Sequence, residues 1–140
     1  MTTPASKVVD SWALLAWLRD EKPAAHVQKV LQQAEAGEIQ LLMSWINAGE
    51  VYYMLARKHG ATMADEFLTR LPSLPIRLVK PDEGAIIAAA KLKSTYRISY
   101  ADAFAAALAQ KEDAALITGD PELKGMSERL EIEWIGPGFN

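Results

Sequence analysis

Short apolar runs alternate along the chain with longer stretches whose apolar residues recur every three or four positions. The short runs are Lys7-Val8-Val9-Asp10, Ile39-Gln40-Leu41-Leu42-Met43, Ile76-Arg77-Leu78-Val79 and Ala114-Ala115-Leu116-Ile117-Thr118. A strand that is apolar at adjacent positions must bury both faces. These four therefore predict a parallel sheet covered by helices on either side. A fifth segment, Leu130-Glu131-Ile132-Glu133-Trp134, alternates apolar and acidic residues. That period of two predicts an edge strand with one face in water.

The intervening stretches predict helices. Ser11 to Arg19 carries Trp12, Leu14, Leu15, Trp17 and Leu18, too crowded for strand alternation, so a helix starts at Asp10 or Ser11. Pro23 opens a second helix, with His26, Val27, Val30 and Leu31 at helical spacing, and Gly37 stops it. Ser44 is a good N-cap for a helix from Ile46 to His59 that Gly60 terminates. Its Val51, Tyr52, Tyr53, Met54 and Leu55 cover more than one stripe, so either two faces are buried or one meets a partner. Thr62 to Leu71 forms a short helix, and Pro72 and Pro75 bracket a turn. Asp82 caps a helix through Lys93, rich in Ala and Ile, and Ser99 caps an Ala-rich one through Gln110. With no repeat, linker or low-complexity stretch, the pattern predicts a single domain over 1–140, its core at about 7–136. The fold class is three-layer α/β/α with a mainly parallel central sheet of about five strands.

Composition narrows the chemistry. A length of 140 residues fits one domain with a sizeable core. There are no cysteines, which excludes a disulfide scaffold, a Cys-based zinc finger, an iron–sulfur site and a thiol nucleophile. The two histidines, His26 and His59, have neither HxxxH nor HExxH spacing, which disfavours a zinc hydrolase. No run approaches the ~18–20 apolar residues that span a bilayer. Met1 to Ser6 has no apolar core, unlike a signal peptide, so a cytoplasmic location is expected. A net charge of −3, from 15 basic and 18 acidic residues, weighs against a broadly basic nucleic-acid surface.

The acids fall at particular joints. Asp10 ends the first strand, and Glu50 lies in the first turns of the helix after the second. Asp102 lies in the first turn of the Ser99-capped helix, and Asp120 follows the fourth strand. In an open parallel sheet, the carboxyl ends of the strands and the helix N-termini that follow them share one edge. Each acid also fits a local role. Asp10 can be an N-cap, and Ser99-x-x-Asp102 and Asn47-x-x-Glu50 have capping-box spacing. Asp120 precedes Pro121 as an N-cap precedes a proline at the first helical position. Caps need not converge, however, whereas four acids at equivalent joints favour a shared pocket. Clustered carboxylates cannot all stay ionised without a cation among them. With no Cys and no paired His, the ligand set is all oxygen, which favours Mg²⁺ or Mn²⁺ over zinc. No D-x-D-x-D-G calcium loop is present. Carboxylates holding divalent ions suit phosphodiester cleavage.

The stretches Val8-Val9-Asp10-Ser11, Asn47-Ala48-Gly49-Glu50-Val51, Ser99-Tyr100-Ala101-Asp102-Ala103 and Leu116-Ile117-Thr118-Gly119-Asp120 occur in that order across nearly the whole chain. Together they resemble a PIN-domain ribonuclease, specifically the VapC-like toxin of a type II toxin–antitoxin pair. The resemblance implies a catalytic and metal-holding site of Asp10, Glu50, Asp102 and Asp120 with Mg²⁺ or Mn²⁺, supported by Ser11 and Thr118, that cleaves RNA. It also implies a homodimer and a small antitoxin lying across an apolar surface near the site.

Other residues have two readings each. Trp12, Trp17 and Tyr52, together with Trp45 and Tyr53, belong to the core or to the antitoxin groove. Arg19, Arg97 and Tyr100 are candidate RNA contacts. Arg97 is foremost because it precedes the helix bearing Asp102. Arg57, Lys58, Lys93 and Lys124 are further cations, and a solvated surface is the alternative for all of them. His26 and His59 read as structural or surface residues. Gly49 costs ~1 kcal/mol relative to Ala inside a helix and is read as admitting close backbone packing beside Glu50. Setting the four site acids aside leaves 14 acids against 15 bases, so RNA binding is expected to rest on metal and a local basic rim. The alternatives are a non-toxin PIN-domain RNA-processing nuclease and a non-catalytic α/β binding module whose acids are helix caps.

Overall fold

The computed structural model describes residues 3–138. Five strands form one parallel sheet: β1 (Ala5–Val9), β2 (Ile39–Ser44), β3 (Arg77–Val79), β4 (Ala115–Thr118) and β5 (Ile132–Trp134), in the spatial order β3-β2-β1-β4-β5. The helices are α1 (Ser11–Leu18), α2 (Ala24–Glu35), α3 (Trp45–His59), α4 (Ala61–Arg70), α5 (Glu83–Thr95) and α6 (Tyr100–Lys111), with 3-10 turns at Leu71–Ser73 and Pro121–Met126.

Adjacent apolar residues on the strands divide between two cores, as the doubly apolar runs require. Val8, Leu42 and Leu116 pack with Phe104, Ala105 and Met126 on one face. Val9, Leu41, Met43 and Ile117 pack with Leu14, Val27, Val51, Leu55 and Phe67 on the other. Val8 pairs in register with Leu42 and Leu116, so each layer of the sheet sends its side chains to the same face. The predicted three-layer architecture is the one observed. Among the described residues no helix is long and apolar enough to cross a membrane.

The predicted caps form. Asp10 accepts from the Ala13 N–H at 2.8 Å, Ser44 from Ile46 at 3.1 Å, Asp82 from Ala85 at 2.8 Å and Ser99 from Asp102 at 3.1 Å. Three sequence expectations need correction. Because Ser44 caps α3 and the helix begins at Trp45, Asn47 lies inside it, and Asn47-x-x-Glu50 is not a capping box. A Cβ added at Gly49 would meet nothing within 4 Å, so this glycine admits no close backbone approach. β5 is an edge strand but shorter than the alternating segment, and its acidic face is not simply solvated. Glu133 accepts a salt bridge from Lys7 at 2.6 Å and sits 2.7 Å from His26 Nε2, because α2 brings His26 to this edge of the sheet.

Candidate active site

The strand order reverses between β1 and β4. The chain leaves β1 towards β2 on one side and leaves β4 towards β5 on the other. The carboxyl ends of two such strands leave a crevice between their connections. Asp10 directly follows β1 and Asp120 lies two residues beyond β4, so both flank this crevice. The first turn of α6 brings Asp102 to the same edge, and α3 brings Glu50. The result is a cleft of about 430 Å³, lined by Glu50, Asp102, Asp120 and Glu122 together with Ser11, Trp12, Leu15, Arg19, Glu21, Met54 and Ser99. Carboxylate oxygens of Asp102, Asp120 and Glu122 lie within 4.8 Å of one another. Asp10 is fully buried.

Capping and convergence coexist in the same residues. Asp10 spends Oδ1 on the Ala13 N–H, and Asp120 spends Oδ1 on the Glu122 N–H at 3.0 Å. Yet Oδ2 of Asp10 and Oδ2 of Asp102 are both buried without a hydrogen-bond partner among the described residues. Burial pushes the Asp10 carboxyl up to about 7, and the charges of Asp120 and Glu50 add to that push. The Thr118 hydroxyl and the Ala13 N–H oppose it. Burial likewise raises Asp102, to about 8, reinforced by the charges of Asp120, Asp10 and Glu50. These are the signatures of carboxylates crowded in a poorly solvated place.

Supporting contacts hold the acids in position. The fully buried Thr118 accepts from the Asp120 N–H at 3.0 Å, which fixes the backbone where the chain leaves β4. The Ser11 hydroxyl donates to the Asn47 carbonyl at 3.1 Å. The Asn47 amide donates to Ser11 Oγ at 3.2 Å and to the Ala101 carbonyl at 3.1 Å. One buried side chain thus joins α1, α3 and α6, the helices that carry or follow Asp10, Glu50 and Asp102. The Tyr53 hydroxyl donates to Glu50 at 3.2 Å. Gly119 lies under the Trp12 ring and against the backbone of Gly136, where any Cβ would clash with both. This close approach lets the tryptophan roof the β4 exit.

Glu122 and Asn47 are site residues that the sequence reading missed. The signal for Glu122 was Asp120-Pro121-Glu122, a second acid on the tight turn after β4; the signal for Asn47 was a polar side chain among buried helix positions. The candidate RNA contacts divide. Arg19 lines the cleft, whereas Arg97, exposed ahead of α6, is not among the lining residues. Tyr100 is exposed and packs its ring edge against Phe104, with centroids 4.9 Å apart. Trp17 donates to Gln28 at 2.8 Å and lies beneath the Arg70 guanidinium, and Tyr52 donates to Asp65 at 2.8 Å. Both aromatics also pack against the core, whereas Trp45 and Tyr53 are 40% and 44% exposed.

The model for the PIN domain matches residues 7–128. Comparison of the sequence with curated proteins finds no match. Among solved structures, the chain is similar to VapBC2 from Rickettsia felis bound to a DNA fragment from its promoter, with a TM-score of 0.69 and 15% identity over 91% of this chain and 97% of that one. VapC20 from Mycobacterium tuberculosis, a sarcin-ricin-loop-cleaving toxin, gives 0.67 and 14% over 86% and 94%. VapBC-1 from nontypeable Haemophilus influenzae gives 0.66 and 18% over 92% and 97%. At these identities the likeness is one of fold.

Proposed function

The chain belongs to the PIN domain family, and from that premise we propose that it is a metal-dependent endoribonuclease, a hydrolase of RNA phosphodiester bonds, acting as the toxin of a VapBC-type pair. The observation that carries the reading is the pair of buried, unpartnered carboxylate oxygens on Asp10 and Asp102, beside the close oxygens of Asp102, Asp120 and Glu122. Helix capping explains one oxygen of Asp10 and leaves the other without a role, which disfavours the non-catalytic binding module.

The donor set fits a hard divalent cation, because every available ligand is oxygen. Asp10, Asp102 and Asp120 would hold Mg²⁺ or Mn²⁺, with Glu50 and Glu122 ligating directly or through water. The ion, when bound, supplies Lewis acidity to the phosphodiester and to an attacking water. The protein's part is to present the carboxylates in a fixed arrangement. Asn47, Ser11 and Thr118 perform that positioning, and Tyr53 orients Glu50.

The likeness to VapBC structures supports a small antitoxin as partner, and a homodimer is proposed as the working form on the family resemblance alone. The partly exposed Trp12, with Trp45 and Tyr53, offers aromatic anchors for the antitoxin. The cytoplasm is the proposed site of action. A short reading frame immediately upstream would distinguish the toxin from a housekeeping RNA-processing PIN nuclease. The decisive experiment incubates the protein with total RNA, with Mg²⁺ or with EDTA, and maps the ends. Cleavage is expected with Mg²⁺ alone. Asp10→Asn should abolish it while leaving the circular dichroism spectrum unchanged; undiminished cleavage by that variant would sink the assignment.

A further inference from the structure

Arg19 caps the C-terminal end of α1 and is the one basic residue among those lining the acidic cleft. Its Nε is buried without a hydrogen-bond partner among the described residues. It makes no salt bridge either: the ion pairs of the described residues both use Glu133, with Lys7 and His26. Glu21, Glu50, Asp102, Asp120 and Glu122 line the same cleft. A guanidinium beside so many carboxylates and bonded to none is held ready for an acceptor from outside. Trp12, Leu15 and Arg19 recur at helical spacing on α1, so the cation shares a wall of the cleft with an aromatic ring and an apolar side chain.

We propose that Arg19 positions the RNA strand by taking the oxygens of a phosphate other than the one being cleaved. This rests on the reading of the cleft as a metal-dependent ribonuclease site. The planar fork of the guanidinium matches two phosphate oxygens. A peptide carboxylate would bring a single charge into a cleft of five acids, with nothing else to hold it. A phosphodiester chain carries a charge at every nucleotide, so one phosphate meets the cation-loaded acids while another meets Arg19. The arrangement also answers how a chain of net charge −3 can retain RNA at its acidic cleft.

The test uses the full chain with Arg19→Met and Arg19→Lys. Affinity for a short phosphorothioate RNA oligonucleotide is measured in Mn²⁺ across a salt series. Mn²⁺ binding is measured separately by calorimetry, and cleavage is followed on total RNA. Arg19→Met should weaken RNA binding about tenfold, lower the salt slope by about 1, and leave Mn²⁺ affinity and melting temperature unchanged. Arg19→Lys should recover part of the affinity, because the charge returns without the fork. RNA affinity and salt slope equal to wild type in Arg19→Met, with wild type binding Mn²⁺ and cleaving, overturn this proposal alone and leave the guanidinium to a protein carboxylate. A lowered melting temperature or lost Mn²⁺ binding in Arg19→Met assigns the side chain a structural role and also overturns it. Wild-type protein that neither binds Mn²⁺ nor cleaves RNA overturns the enzymatic reading and this one with it.

Discussion

At the residue scale, the site is a trade between burial and charge. Asp10 and Asp102 are raised to about 7 and about 8 by burial first and by neighbouring carboxylates second. An unfolded aspartate releases its proton near pH ~3.9. Between that value and about 8 the folded protein therefore holds protons that the unfolded chain has lost. Stability without metal must fall as pH rises through this window. Thermal melts in chelator should give a lower midpoint at pH 8 than at pH 5.5, and Asp102→Asn should flatten that dependence. Asp10, Glu50 and Asp120 were legible as candidates because each follows a strand, where topology alone decides the edge, whereas Asp102 opens a helix that follows α5 and reaches that edge only through the packing of α6. Glu122 was not, because its convergence depends on the curl of the Pro121–Met126 turn. Arg97 drew attention by its nearness in sequence to Asp102, whereas Arg19 enters the cleft because α1 runs beside it. Gly119 shows how tightly this edge is built. Gly119→Ala should drive the Trp12 ring from its seat, lowering the melting temperature and changing the near-ultraviolet circular dichroism.

At the scale of elements, the short apolar runs were read well because burial on both sheet faces leaves an unambiguous pattern. Helix faces were harder. α5 buries only Ala89 and leaves Ile86 and Ile87 40% and 55% exposed, although the stretch is rich in Ala and Ile. Periodicity locates a stripe but does not say whether it meets a helix, the sheet or solvent. Trp17 and Tyr52 are similar: each can fill a groove or brace a neighbouring helix, and here they brace α2 and α4 through polar contacts at their rims. Gly49 gives a clean test of the α3 reading. Nothing lies within 4 Å of where its Cβ would be, so Gly49→Ala should stabilise the protein by ~0.5–1 kcal/mol in a denaturant titration. Destabilisation would mean that the helix packs more closely there than described.

At the scale of the whole molecule, the two cores hold a rigid sheet whose carboxyl edge is left polar and crowded. A ligand that binds only the folded state stabilises it by mass action. Mn²⁺ at about a hundred times its Kd should add ~2.7 kcal/mol and raise the melting temperature accordingly. The gain should vanish in an Asp10→Asn/Asp120→Asn double variant; a metal shift of equal size in that variant would place the ion elsewhere.

The pairing of β1 with β4 also has a consequence in time. Lys7, Val8 and Val9 find Ala115, Leu116 and Ile117 as neighbours across more than a hundred residues of intervening chain. Asp10 leaves the ribosome more than a hundred residues ahead of Asp120. In that interval a growing chain carries Asp10 and Glu50 without the strand that brings Asp120 beside them. Until the fourth strand emerges the crevice does not exist, and any chemistry that depends on it waits for that strand.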